Sequence, residues 1–288
     1  MLIAILLAVS SAVTVLLSVF FPWQLAPLYF LGSLLLLAAL AFAFLVVACE
    51  SVNKDKPQQK GSKFYRALAH LYIQAALPLA GARLHVQGME KLPKEGRFLM
   101  VCNHIHDIDP GILLHCFPKS HLVFIAKREA KDMFIIGALL HKLQCHMINR
   151  ENDREALKTI LDCIQMIKDD QASIMVFPEG YVSLDGKLRH FRSGVFKIAQ
   201  KAQVPVVVCT VKGCKEVLPN LAKLKPSHIH MHLVDVIPTE EVCAANTVDL
   251  AERVYELMIA DMGEEFRTDE KSMHPDLQRQ RMEQTAQL

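Results

Sequence analysis

No charged residue precedes Glu50, and that gap excludes more than any motif in the first fifty positions. A fold surrounded by water needs an ionic surface. Residues 2–21 and 26–48 are instead two apolar runs, joined by Phe21-Pro22-Trp23-Gln24. Each is long enough to cross a bilayer as a helix. With no Lys or Arg ahead of the first run, a cleaved signal peptide lacks its basic start. Other absences narrow the chemistry. No glycine-rich loop with nucleotide-fingerprint spacing opens a helix, so a dinucleotide or P-loop site has little support. There is no His-Glu-x-x-His zinc signature and no Gly-x-Ser-x-Gly nucleophile elbow. The eight cysteines, at 49, 102, 116, 145, 163, 209, 214 and 243, show no close ligand-like pairing. They read as buried thiols of a reducing compartment. Lys+Arg 32 against Asp+Glu 30 leaves a net +2, a balance that selects no partner.

What is present begins with the two apolar runs. Proline ends a helix and tryptophan favours the interface, so residues 1–50 predict a transmembrane helical hairpin. Lys54, Lys56, Lys60, Lys63 and Arg66 follow it. The positive-inside bias then places the N-terminus and the following domain in the cytoplasm, as expected of a multi-pass membrane protein. A shallow re-entrant hairpin stays open, because nothing polar anchors the start of the first run. Residues 51–62 read as a polar linker, 63–266 as a folded domain and 267–288 as a polar, frayed tail.

Within the domain, strands and helices alternate. Apolar runs at 98–102, 122–126, 145–149, 173–177 and 204–209, with alternating segments at 84–87 and 228–236, predict strands. Helical spacing marks 64–79, 110–116, 132–143, 153–169 (capped by Asn152), 193–202 and a last helix capped by Asn246. The helix at 64–79 suits the membrane interface or packing on the domain. The apolar residues from Met133 to Leu140 suit ordinary core. The order implies an α/β fold, a single layered domain with a mixed, largely parallel sheet covered by helices and preceded by the hairpin. Strand ends at His104, Lys127, Arg150 and Glu179 can then converge on one edge.

The densest group of titratable side chains is Asn103-His104-Ile105-His106-Asp107-Ile108-Asp109-Pro110, directly after the run Phe98-Leu99-Met100-Val101-Cys102. Asp109-Pro110 reads as a helix start with Asp109 at the cap. His104 at a strand tip and Asp109 at the next helix are close enough to pair. Such a histidine is a candidate general base for a hydroxyl, and equally a satisfied structural histidine. His106 and Asp107 do not have the spacing for that partnership.

Together these blocks resemble the glycerolipid acyltransferases, specifically the bacterial 1-acyl-sn-glycerol-3-phosphate type. Asn103-His104 with Asp109 matches the family's Asn-His, four residues, Asp. Lys127 and Met147-Ile148-Asn149-Arg150 match a second block, Phe177-Pro178-Glu179-Gly180 a third and Val204-Pro205-Val206 a fourth, with Phe191-Arg192-Ser193-Gly194 between the last two. The resemblance implies transfer of a fatty acyl group from acyl-CoA or acyl carrier protein to a lysolipid hydroxyl. His104 and Asp109 are its implied catalytic pair, and Asn103, Lys127, Arg150, Glu179, Gly180 and Arg192 its implied substrate-binding residues. The phospholipid bilayer is a further partner; no cofactor, metal or nucleic acid is implied. One departure stands out: the family's Thr-Arg after Glu-Gly is Tyr181-Val182. An arginine thought to hold the acceptor's phosphate is missing, which opens acceptors other than the phosphatidic type.

Overall fold

The computed structural model describes residues 1–58, 60–148, 153–183 and 185–268. In chain order, the helices are α1 (Leu2–Phe20), α2 (Ala26–Glu50), α3 (Lys63–Leu79), α4 (Asp109–Cys116), α5 (Ile136–Lys142), α6 (Asp153–Lys168), α7 (Lys197–Ala202), α8 (Val217–Ala222), α9 (Thr239–Ala244) and α10 (Thr247–Met262). The strands are β1 (Ala82–Gln87), β2 (Leu99–Cys102), β3 (Leu122–Lys127), β4 (His146–Ile148), β5 (Ser173–Val176), β6 (Val206–Lys212) and β7 (Ser227–Ile237). The chain forms two compact units.

The first unit comprises Met1–Leu79 and Lys127–Cys145. Helices α1 and α2 have 19 and 25 residues, so they extend about 28 and 38 Å, against roughly 30 Å of hydrocarbon. Large apolar side chains such as Val15, Phe20, Leu35 and Phe42 are exposed along them, as a lipid-facing surface requires. These two helices associate the protein with the membrane. Composition suggested that the folded domain begins at residue 63, but α3 groups with the hairpin. Its Tyr65 hydroxyl donates to the Ala48 carbonyl at 2.7 Å and its Tyr72 hydroxyl to that of Ala41 at 2.5 Å. Leu45, Cys49, Val52, Leu68 and Ala138 form a buried cluster here. The helix expected over 132–143 is divided, with a 3-10 turn at Arg128–Asp132 and α5 beginning only at Ile136. Gly137 permits this fold-back, because a Cβ there would collide with the Lys131 carbonyl.

The second unit holds Ala80–Ala126 and the described residues from His146 onward. Its sheet runs β1-β7-β6-β2-β5-β3-β4. Strands β6, β2, β5 and β3 are parallel neighbours, as are β7 and β1, while β6 and β7 are antiparallel. This is the mixed, largely parallel sheet expected. Successive residues Leu99, Met100, Val101 and Cys102 are all fully buried, so β2 is covered on both faces. Leu99, Val101, Val176 and Val208 pack in one core with Ile164 and Ile167 of α6, Ile198 of α7 and Val254 and Met258 of α10. Asn246 caps α10, accepting from the amides of Val248 and Asp249 at 2.9 Å each. The expected tail begins later than composition suggested. Arg267 pairs with Glu256 and Glu264, and the buried Thr268 hydroxyl donates to the Leu188 carbonyl.

Candidate active site

Parallel pairing determines where the chemistry collects. Val101 of β2 is in register with Val176 of β5, so His104 and Glu179 each lie three residues past a paired position, at the same sheet edge. Pro178-Glu179-Gly180 turns the chain sharply there, the Gly180 amide donating to the Phe177 carbonyl at 3.0 Å.

His104 Nδ1 lies 3.0 Å from Asp109 Oδ2. The same oxygen accepts the amides of Ile105 and His106, each at 2.8 Å. Asp109 is completely buried, while the His104 side chain keeps 15% exposure. A carboxylate gripped by two amides does not swing, so the imidazole it holds has a fixed tautomer and direction, with Nε2 left for a substrate. Asp109 is not the cap of α4 as expected. The cap is Ile108 and Asp109 is the first helical residue. From that position its carboxylate reaches back over the turn to the amides preceding the helix, where His104 stands. His106 bends away, its Nδ1 accepting the Ile108 amide at 3.3 Å.

A second carboxylate fixes the other side of the histidine. Glu179, fully buried, accepts the His104 amide at 2.7 Å and the Arg189 amide at 2.8 Å. Burial pushes Glu179 up to about 8, against the lowering effect of those two amides. The His104 carbonyl accepts the Ser183 amide at 2.7 Å, and the Phe177 ring stacks on the imidazole at 4.0 Å between centroids. Phe177 and Ser183 are site residues that sequence reasoning did not assign. Their signal was position in the third block: Phe177 opens the Phe-Pro-Glu-Gly match and Ser183 stands three residues after Gly180.

Asn103 is buried, and both ends of its amide are engaged with the Val211 main chain, at 2.9 and 2.8 Å. It continues the β2–β6 pairing through a side chain. Gly180 has φ +85, a conformation that favours glycine, and a Cβ on it would crowd the Arg192 side chain that lies across it. The Arg192 Nε is buried with no hydrogen-bond partner among the described residues. Arg189 pairs with Asp185 at 2.7 Å. Tyr181 and Val182 are both half-buried. Lys127 is the exposed last residue of β3, and Arg150 lies outside the described residues, as does the expected cap Asn152. Burial, then the Asp109 charge, push the Cys214 thiol upward, which keeps it protonated beside the histidine's partner.

An acyltransferase family model matches residues 83–212, a span that contains His104, Asp109, Glu179 and Arg192. A probable 1-acyl-sn-glycerol-3-phosphate acyltransferase of Mycoplasma pneumoniae is 30% identical over 186 residues, covering 62% of this chain and 66% of that protein. The chain thus spans slightly less than two thirds of that relative's length. The 1-acyl-sn-glycerol-3-phosphate acyltransferase of Saccharomyces cerevisiae is 25% identical over 245 residues, 82% of this chain and 78% of that one. Among solved structures, the 1-acyl-sn-glycerophosphate acyltransferase of Thermotoga maritima superposes with a TM-score of 0.58 at 18% identity, over 90% of this chain and 97% of that one. At such identity the likeness concerns the fold alone.

Proposed function

We propose, from the premise that the chain belongs to the glycerolipid acyltransferase family, that it moves a fatty acyl group from a thioester to the free hydroxyl of 1-acyl-sn-glycerol-3-phosphate. The observation that carries this reading is the His104–Asp109 pair, 3.0 Å apart with the carboxylate locked by two amides. His104 Nε2 takes the proton of the acceptor hydroxyl as its oxygen attacks the thioester carbonyl. The C–O bond forms, the C–S bond breaks, and the departing thiolate recovers the proton from the imidazolium. Asp109 stabilises that imidazolium, and no protein nucleophile is needed because a thioester is already activated. The donor is acyl-CoA or acyl carrier protein.

Arg192 is the best-placed ligand for the acceptor's phosphate, since its buried Nε is unpartnered and an Arg–phosphate contact is strong and directional. The neutral Val182, in the position of the family's arginine, supports a second reading in which another lysolipid is the acceptor. The finer placement is a multi-pass protein of the inner membrane with its catalytic unit on the cytoplasmic side, supported by Lys54, Lys56, Lys60, Lys63 and Arg66 after the second span.

A lysolipid panel with one donor, run in micelles on wild type and His104→Ala, tests the proposal. Acylated phosphatidic-type product is expected, with turnover falling about 10²–10⁴-fold in the variant. Unchanged turnover in His104→Ala removes the mechanism. Preference for a different lysolipid moves the assignment to the second reading.

A further inference from the structure

A second concentration of titratable side chains occupies one face of the sheet at its β1 edge. Lys212 of β6 is in register with His230 of β7, and His230 with His85 of β1. In the adjacent row, Thr210 faces His232 and His232 faces Gln87. Residues two apart on a strand share a face with their cross-strand partners, so both rows point the same way. With Asp261 of α10 they line a cleft of about 220 Å³. His228 stands one row further on, its Nδ1 2.9 Å from Nε2 of His85.

The cleft holds one charge of each sign, Lys212 and Asp261, but the carboxylate is already engaged. Asp261 is the single acid in the lining, and both its oxygens are taken, by the Thr210 hydroxyl and by His232 Nδ1, each at 2.5 Å. Lys212 has one long contact, 3.4 Å to the Asp261 carbonyl. Burial and the neighbouring His85, Lys212 and His228 hold His230 below the usual histidine range. With that carboxylate engaged, the Lys212 ammonium and imidazole N–H groups face the open part of the cleft. The arrangement does not suit a metal. The His85 ring is within 15° of parallel to those of His228 and His230, and its Nε2 is already engaged by His228 Nδ1 at 2.9 Å, which leaves it no lone pair to share with a metal in the cleft. Among the described residues no group of three or more His, Cys, Asp or Glu is arranged for an ion.

We propose that this cleft binds a phosphate group carried by one of the two substrates. Its link to the reaction is short: Val211, between Thr210 and Lys212, holds Asn103, and the next residue is His104. The identity of the carrier rests on the acyltransferase reading; phosphate binding itself does not. Thioester donor and lysolipid acceptor both bring phosphate, and kinetics separates them.

The experiment uses the full chain in micelles with ¹⁵N-labelled histidine side chains, titrated with inorganic phosphate. Saturable shifts of the His230 and His232 imidazoles are expected. Lys212→Met with His230→Gln should weaken binding by about tenfold, the loss of a charge-assisted contact. If the donor is the source, the same variant raises KM for acyl-CoA by a similar factor, more than it alters kcat. If the acceptor is the source, the rise appears in KM for the lysolipid. Should the double variant fail to fold, Lys212→Gln alone carries the test. Absence of phosphate shifts, shifts with zinc ion but not phosphate, or shifts with both KM values unmoved would each overturn the proposal. Loss of turnover in His104→Ala beside an unresponsive cleft would sink this inference alone. Phosphate shifts beside an active His104→Ala would sink the reaction and leave the site.

Discussion

Asp109 and Glu179 are both fully buried and both bond to the His104 residue, yet their tasks differ. Asp109 contacts the imidazole itself and two amides of the following turn. Glu179 contacts only main chain, joining the His104 amide to that of Arg189 across the loop after β5. It is a clamp that is charged or neutral depending on pH. Burial raises its folded value to about 8 from an ordinary 4.5, so the folded state holds an extra proton between those limits. Its contribution to stability is full below pH 4.5 and is lost as pH rises through 8. Glu179→Gln cannot ionise. Denaturant unfolding from pH 5 to pH 9 should therefore show wild type losing on the order of a few kcal/mol that the variant does not lose. Parallel curves for the two proteins would show that Glu179 stays ionised throughout.

At the scale of elements, the sequence made the sheet legible because its central strands are unbroken apolar runs, buried on both faces. The pair His104–Asp109 was legible from spacing alone, since strand tip and helix start had to be neighbours. Helices α8 and α9, six residues each, escaped notice because so few turns give no periodicity. The antiparallel return of β7 beside β6 was equally hidden, as pairing direction leaves no mark in composition. The pair of hydrogen bonds between Asn103 and Val211 spans 108 positions, and no local pattern announces it. Its importance is testable. Asn103→Leu keeps the volume but leaves the Val211 N–H and C=O unpaired in the core, where an unsatisfied group costs about 1–3 kcal/mol. The variant should lose about 2–4 kcal/mol of stability by denaturant unfolding, a larger effect than a surface substitution gives. A loss under about 0.5 kcal/mol would mean that water reaches Val211 and replaces the amide.

At the scale of the whole molecule, the apolar hairpin belongs to a folded unit and is more than a tether. Composition drew a boundary near residue 51 because the charges begin there, but α3 returns to α2 through two tyrosine hydroxyls, which meet the Ala48 carbonyl in its last turn and the Ala41 carbonyl within it. Ala48 is among the last four carbonyls of its helix, which lack an intrahelical amide, and the interior Ala41 carbonyl has a second lone pair, so in an apolar setting a further donor to either is favoured. Leu68 and Ala138 then bury themselves against Leu45 and Cys49, which composition alone assigns to lipid. Replacing residues 1–50 with an unrelated two-span hairpin would keep the membrane attachment and remove these partners. Hydrogen exchange in α3 should then accelerate, and Tyr65→Phe with Tyr72→Phe in the native hairpin should give part of the same effect, about 1 kcal/mol for each bond lost. Wild-type protection of Lys63–Leu79 behind the foreign hairpin would reduce residues 1–50 to an anchor. Accelerated exchange confined to α3 would instead make those first fifty residues part of what folds the helix that follows them.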